Sequence, residues 1–219
     1  TSSFLVTAKL AGIAYILAVA LGVVVGVVAA VNHGKWVDSV LMTISVFGIS
    51  APAFWIAIIL QIVICLKFNL LPLSGIDSFK SFILPGIALG TRYAASIARI
   101  TRTSMLDVLS QDYIRTAEAK GLKGWVVTIK HALRNALIPI ITIAGSDLGN
   151  ILTGSVLVES VFSIPGIGKM LVDSINTRDL PIVQGGVMYI AVICVIMYLV
   201  VDLLYTVVDP RIRLGKESS

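Results

Sequence analysis

The chain has 219 residues, 57% of them hydrophobic and 13% charged, with a mean hydropathy of +0.98. That balance leaves too little polar surface for a soluble domain of this length, so most apolar side chains must face lipid or neighbouring helices. The net charge of +5 does not point to nucleic acid, because the basic residues flank apolar runs and lack the interleaved aromatics on which bases stack.

A helix needs about 20 apolar residues to cross a bilayer core. Five runs meet this, at about 10–31, 39–66, 81–103, 135–158 and 182–208. Only helices satisfy their own backbone groups in lipid, and these runs lack strand alternation, which excludes an outer-membrane barrel. The expected class is all-α, a polytopic membrane helix bundle. The first run is uncharged, and its Gly22 and Gly26, four apart, fit close helix packing. The second carries Pro52, which predicts a kink between Gly48 and Ala53. Gln61, in the same run, is read as an interhelical hydrogen-bond donor. Arg92 interrupts the third run, Asp147 the fourth, and Asp202 stands near the end of the fifth, where capping or packing is expected.

Orientation follows from Lys and Arg. With the segment before Leu10 outside, the inside segments 32–38, 99–134 and 209 onward hold eleven, against five outside at Lys9, Lys67, Lys80, Lys169 and Arg178. The positive-inside rule therefore places the loop 99–134 and the C-terminus in the cytoplasm. The start at Thr1 and an outside first segment predict a further span upstream.

The main polar insert is Gln111 to Pro139. Asp112 is expected to cap a short helix from Tyr113 to Lys120, with Ala117 and Ala119 as helix formers and Gly121 as its left-handed stop. Tyr113 and Ala117 would share one face, Arg115 and Glu118 another. Beyond Gly121, Trp125, Ile129 and Leu133 recur every four residues among Lys123, Lys130 and Arg134, an amphipathic approach to the next span.

Three blocks resemble the permease subunits of binding-protein-dependent ABC importers, in the peptide and nickel branch, of the dipeptide/oligopeptide permease B type. The first is Tyr113, Arg115, Thr116, Ala117, Glu118, Ala119, Lys120 and Gly121, followed by Asn135-Ala136-Leu137-Ile138-Pro139. The second is Val158-Glu159-Ser160-Val161-Phe162-Ser163-Ile164-Pro165-Gly166-Ile167-Gly168, and the third combines Val201 to Tyr205 with Asp209-Pro210-Arg211-Ile212-Arg213. Arg115-Thr116-Ala117 replaces the family's general Glu-Ala-Ala, and the gap from Gly121 to the Pro is longer, as in the peptide and nickel branch.

The resemblance implies a type I ABC importer permease fold, one transmembrane domain over 1–219 with a coupling loop at 111–134, in a bacterial or archaeal cytoplasmic membrane. It implies that Tyr113 to Gly121 docks on an ATPase. It also implies a second permease in a heterodimer, two ATPase subunits that use ATP and Mg, and an extracytoplasmic substrate-binding protein. No cofactor is expected on this chain. The implied substrates are di- and oligopeptides, with nickel or a metallophore as the alternative. A stand-alone secondary transporter is the rival of another class.

Arg92, Asp147 and Asn150 are candidates for the translocation path, since an ionisable group in a span usually faces a cavity or a partner. For Asp147 two readings stay open: contact with a substrate ammonium or cation, or a polar contact to Arg92 or the partner permease. Arg92 has headgroup snorkelling as a third. Phe162, Pro165, Gly166 and Gly168 are candidates for an outer gate loop, or a cap on the bundle. No catalytic or metal site is expected: His33 and His131 lie far apart without a nucleophile, and Cys65 and Cys194 stand inside apolar runs without ligand spacing.

Overall fold

The computed structural model describes residues 2–76 and 78–208, apart from the side chains of 202 and 204–208. The reading of Asp202 as a cap and the closing block Asp209 to Arg213 therefore lie outside the described residues. Helix α1 covers Ser2–Val31, α2 Trp36–Ser50 and α3 Ala53–Leu60, which runs on through a π segment, Gln61–Lys67. A 3-10 turn, Phe79–Phe82, leads into α4, Ile83–Leu109, and α5 is the short helix Asp112–Ala119. The turn α6, Gly124–Val126, a π segment Val127–Leu133 and α7, Arg134–Val161, form one helical run, followed by α8, Ile167–Asn176, and α9, Leu180–Val208. No strand occurs among the described residues.

Ser2–Val31, Gly124–Val161 and Leu180–Val201 are long and apolar enough to cross a membrane, and the bent pair Trp36–Ser50 and Ala53–Lys67 makes a fourth crossing if it is one span. The kink expected at Pro52 is a break of 106°. Ala51 takes extended backbone, at ψ 129, because the proline ring disfavours a helical residue before it, and Pro52, at ψ 135, is extended as the N-cap of α3. Pro52 then opens α3, where its missing N–H costs nothing.

Helix α4, where the third span was expected, is 27 residues long but carries Arg92, Arg99, Arg102 and Asp107. It is the central helix, packed against α1, α2, α3 and α7, so much of its surface is covered by protein. Its closest neighbour is α1, and small residues on both sides allow the approach. A Cβ on Gly22 would lie 2.7 Å from the Ala94 carbonyl oxygen, one on Gly26 2.5 Å from Thr101 Cβ, and one on Gly90 2.8 Å from the Ala14 carbonyl oxygen. The Gly22 and Gly26 pair is therefore a packing device, as its spacing predicted.

Two groups of side-chain hydrogen bonds fix the bundle. Arg102 of α4 donates from Nε to Asp38 Oδ1 at 2.6 Å and from Nη2 to Asp38 Oδ2 at 2.8 Å, and the Gly34 N–H also reaches Oδ2. His33 Nδ1 lies 3.0 Å from Arg102 Nη2, so the turn between α1 and α2 is tied to α4. Elsewhere Gln61 Nε2 donates to the Val161 carbonyl at 3.1 Å and the Leu73 carbonyl at 3.0 Å, the interhelical role read from its position in an apolar run.

Candidate functional site

Helix α5 stands between α4 and the long α6–α7 run. Its end is a Schellman motif: the Gly121 N–H donates to the Glu118 carbonyl at 2.9 Å and the Leu122 N–H to the Ala117 carbonyl at 3.4 Å, with Gly121 at φ +76. Its start differs from expectation. Asp112 lies in the first turn, and Gln111 occupies the cap position without a side-chain bond, so Asp112 favours the helix through the dipole at its N-terminus. Ile114 and Ala117 are 2% and 7% exposed and join Met105, Val127 and Ala132 in one apolar cluster. Ala117 thus anchors α5 to the body, while Tyr113, one turn before it, is 44% exposed. Tyr113, Arg115, Thr116, Glu118, Ala119, Lys120 and Gly121 remain exposed, and Arg115 pairs loosely with Asp112 at 4.0 Å.

Beyond Gly121, Trp125 is 68% exposed, Ile129 is also exposed, and Leu133 turns partly inward. The π segment at Val127–Leu133 shifts the register, so the every-fourth-residue stripe does not stay on one face.

Arg92, Asp147 and Asn150, far apart in sequence, line one cavity of about 470 Å³ with Ile49, Tyr93, Ser96, Thr153 and Gly154. Asp147 sits at the midpoint of α7 and is 9% exposed, and its Oδ2 is buried without a hydrogen-bond partner. Arg92 faces the same space and does not come within ion-pairing distance of Asp147. Asn150 is engaged at both ends of its amide: its Oδ1 accepts from the Tyr198 hydroxyl at 2.9 Å and its Nδ2 donates to the Ser146 carbonyl at 3.2 Å. Tyr198 reaches it over Gly149, where a Cβ would lie 2.6 Å from the ring.

Phe162, Pro165, Gly166 and Gly168 lie in the turn from α7 into α8. Phe162 is 1% exposed and packs with Leu10 and Ile164 in the core, whereas Pro165 is exposed. The turn is organised by Glu159, which is fully buried. Its Oε1 accepts from Thr7 Oγ1 at 2.7 Å and Ser155 Oγ at 3.0 Å, and its Oε2 accepts from the Lys169 N–H at 3.2 Å. Thr7 Oγ1 in turn accepts from the Ile167 N–H at 2.9 Å. The carboxylate and Thr7 together satisfy orphan N–H groups at the start of α8. A Cβ on Gly166 would overlap the Glu159 carboxyl group, and one on Gly168 would lie 2.8 Å from Oε2, so both glycines make room for the buried charge.

Sequence reasoning singled out the glycines but not Glu159 or Thr7. An acidic residue one turn before Ser-Ile-Pro-Gly, in an otherwise apolar run, was a signal for the first. Nothing local marks Thr7, 152 residues away.

The chain matches known proteins in sequence and in fold. Residues 22–214 match the family model described as a binding-protein-dependent transport system inner membrane component. The chain belongs to this family. It is 44% identical over 212 residues to the glutathione transport system permease protein GsiC of Escherichia coli (strain K12), covering 97% of this chain and 69% of that protein. The GsiC of Salmonella typhi matches with the same identity and coverage. Among solved structures, the permease is similar to the MetNI methionine ABC transporter in an inward-facing conformation, with a TM-score of 0.76 at 15% identity over 95% of each chain. An amino acid ABC transporter with histidines matches with a TM-score of 0.70 at 17% identity, over 93% of this chain and 91% of that one. These likenesses bear out the type I importer permease fold, and the sequence relatives bear out the ABC importer permease of the peptide and nickel branch.

Proposed function

We propose that this permease forms half of an ATP-driven uptake pathway for di- and oligopeptides in a bacterial or archaeal cytoplasmic membrane. The observation that carries this reading is the cavity between α4 and α7, which offers a carboxylate, a guanidinium and hydroxyl groups side by side within the bundle. The 44% identity to a glutathione transport system permease supports a peptide-like solute. Nickel or a metallophore is the alternative, and a lining of oxygen and guanidinium groups favours the peptide over it, since imidazole and thiolate ligands suit nickel better.

Coupling is assigned to the outward side of α5: Tyr113, Arg115, Thr116, Glu118, Ala119, Lys120 and Gly121 meet a groove on an ATPase subunit, while Ile114 and Ala117 carry the load into α4 and the α6–α7 run. The excess of Lys and Arg on the α5 side supports a cytoplasmic location for it. The remaining assembly is a second, related permease, two ATPases that use ATP and Mg, and an extracytoplasmic binding protein near the turn Phe162 to Gly168. Co-expression with the two ATPases and the second permease tests the reading: the four subunits should co-purify and, with the binding protein, accumulate trialanine in proteoliposomes only when ATP is present. Accumulation without ATP, or by this chain alone, would support the secondary-transporter rival.

A further inference from the structure

We infer that the cavity between α4 and α7 is a subsite for a dipolar solute, with Asp147 taking an ammonium group and Arg92 a carboxylate. The inference rests on the transporter reading above and adds the residues that select its cargo. Asn150 is used at both ends of its amide, by Tyr198 and by the Ser146 carbonyl, and the Thr153 hydroxyl donates to the Asn150 backbone carbonyl at 2.9 Å. These side chains form walls. Two groups of opposite charge line the space beside the Tyr93 and Ser96 hydroxyls: Asp147, whose buried Oδ2 accepts from nothing, and Arg92.

A carboxylate oxygen held out of water without a donor is costly, and a nearby guanidinium would ordinarily swing across to meet it. Here the two share a cavity without pairing. A solute that carries both charges fits between them, whereas a simple cation would leave Arg92 unmatched and a simple anion would leave Asp147 unmatched. The volume of about 470 Å³ falls within the range of small-molecule sites and admits one or two residues of a peptide. Two glycines keep the walls in place: Gly149 seats the Tyr198 ring, and at Gly154 a Cβ would lie 3.2 Å from the Tyr93 hydroxyl.

The test uses the whole transporter in proteoliposomes with saturating binding protein and radiolabelled trialanine, which has free ends. Asp147→Asn and Arg92→Gln should each lower ATP-driven uptake by about tenfold, the loss expected when a charge-assisted hydrogen bond is removed. Binding-protein-stimulated ATP hydrolysis should stay within about twofold of the wild type, because the cavity is distinct from α5. Asp147→Glu, which keeps the charge, should restore most of the uptake. Wild-type uptake in both neutral variants would overturn the subsite and leave the transporter reading intact. Uptake and ATP hydrolysis falling together in Asp147→Asn, with no rescue by Asp147→Glu, would also overturn it, in favour of a packing role. Failure of the wild-type complex to accumulate trialanine would overturn the proposed function, and the subsite with it.

Discussion

Thr7 Oγ1 donates to Glu159 Oε1 at 2.7 Å and accepts from the Ile167 N–H at 2.9 Å, so one hydroxyl near the start of α1 joins a buried carboxylate on α7 to the first turn of α8. The pair fixes the position of the turn Phe162 to Gly168 relative to the bundle. Replacing Thr7 with Val keeps the shape and removes both bonds, leaving the buried Ile167 N–H unmet and Glu159 Oε1 with Ser155 Oγ as its remaining donor. The expected cost is about 1–3 kcal/mol, that of one unmet buried group. In a protein of this size that lowers the melting temperature in detergent by roughly 2–12 °C. Thermal unfolding followed by tryptophan fluorescence checks it, and a variant as stable as wild type would show that the latch contributes little.

The contact of α1 with α4 depends on residues without side chains. Gly26→Val should separate the two helices, because its Cβ would stand 2.6 Å from the Ala98 carbonyl oxygen as well as against Thr101. Overpacking of this kind costs about 1–3 kcal/mol, and more where backbone is the obstacle. Gly12→Ala, on the same helix but with nothing within 4 Å of the added carbon, should be neutral. Size-exclusion chromatography after mild heating distinguishes the two.

The Asp38–Arg102 pair should behave as a partly buried ion pair. The Asp38 side chain is 6% exposed and the Arg102 side chain 23%, so Arg102→Ala strands a carboxylate with little access to water. Breaking a buried pair in this way costs about 3–5 kcal/mol, less the part that solvent at Arg102 screens. Arg102→Lys should recover only part of the loss, since an ammonium cannot reproduce the two-pronged contact. Combining Asp38→Asn with Arg102→Ala should be milder than Arg102→Ala alone, which a double-mutant cycle on melting temperature measures.

At the end of α5, Gly121→Val forces a β-branched residue into φ +76. The left-handed conformation costs about 1–2 kcal/mol for a residue with a Cβ, and the Schellman bonds from Gly121 and Leu122 should weaken with it. Gly124→Ala is the control, with open space at the added carbon. Limited proteolysis between Asp107 and Trp125 should accelerate for the first and not for the second.

Much of this architecture was legible because it rests on local chemistry. Charge-free length marked α1, Pro52 marked the break between α2 and α3, and Gly121 marked the end of α5. The angle at Pro52 was not legible, since a proline specifies a lost hydrogen bond and not how far neighbouring helices will turn the chain. The buried side of α5 was not legible for a related reason: helix periodicity groups Tyr113 with Ala117, but which side of a short helix is buried is decided by the apolar surface it meets, here Met105, Val127 and Ala132. Arg92 and Asp147 stood out as charges in apolar runs, whereas Tyr198 and Thr7 act through contacts that only the packed bundle creates.

In the proposed function, ATP hydrolysis on a partner subunit drives peptide movement through this chain by way of the outward side of α5. The most direct test is ATP-driven trialanine uptake by the reconstituted transporter carrying Tyr113→Ala and Glu118→Ala, two exposed positions whose loss should leave the fold intact. The prediction is uptake reduced by about tenfold or more, as expected when central contacts of an interface are removed, with the permease melting temperature unchanged and the ATPases bound more weakly or hydrolysing ATP without transport. Wild-type uptake with full co-purification of the ATPases would contradict it.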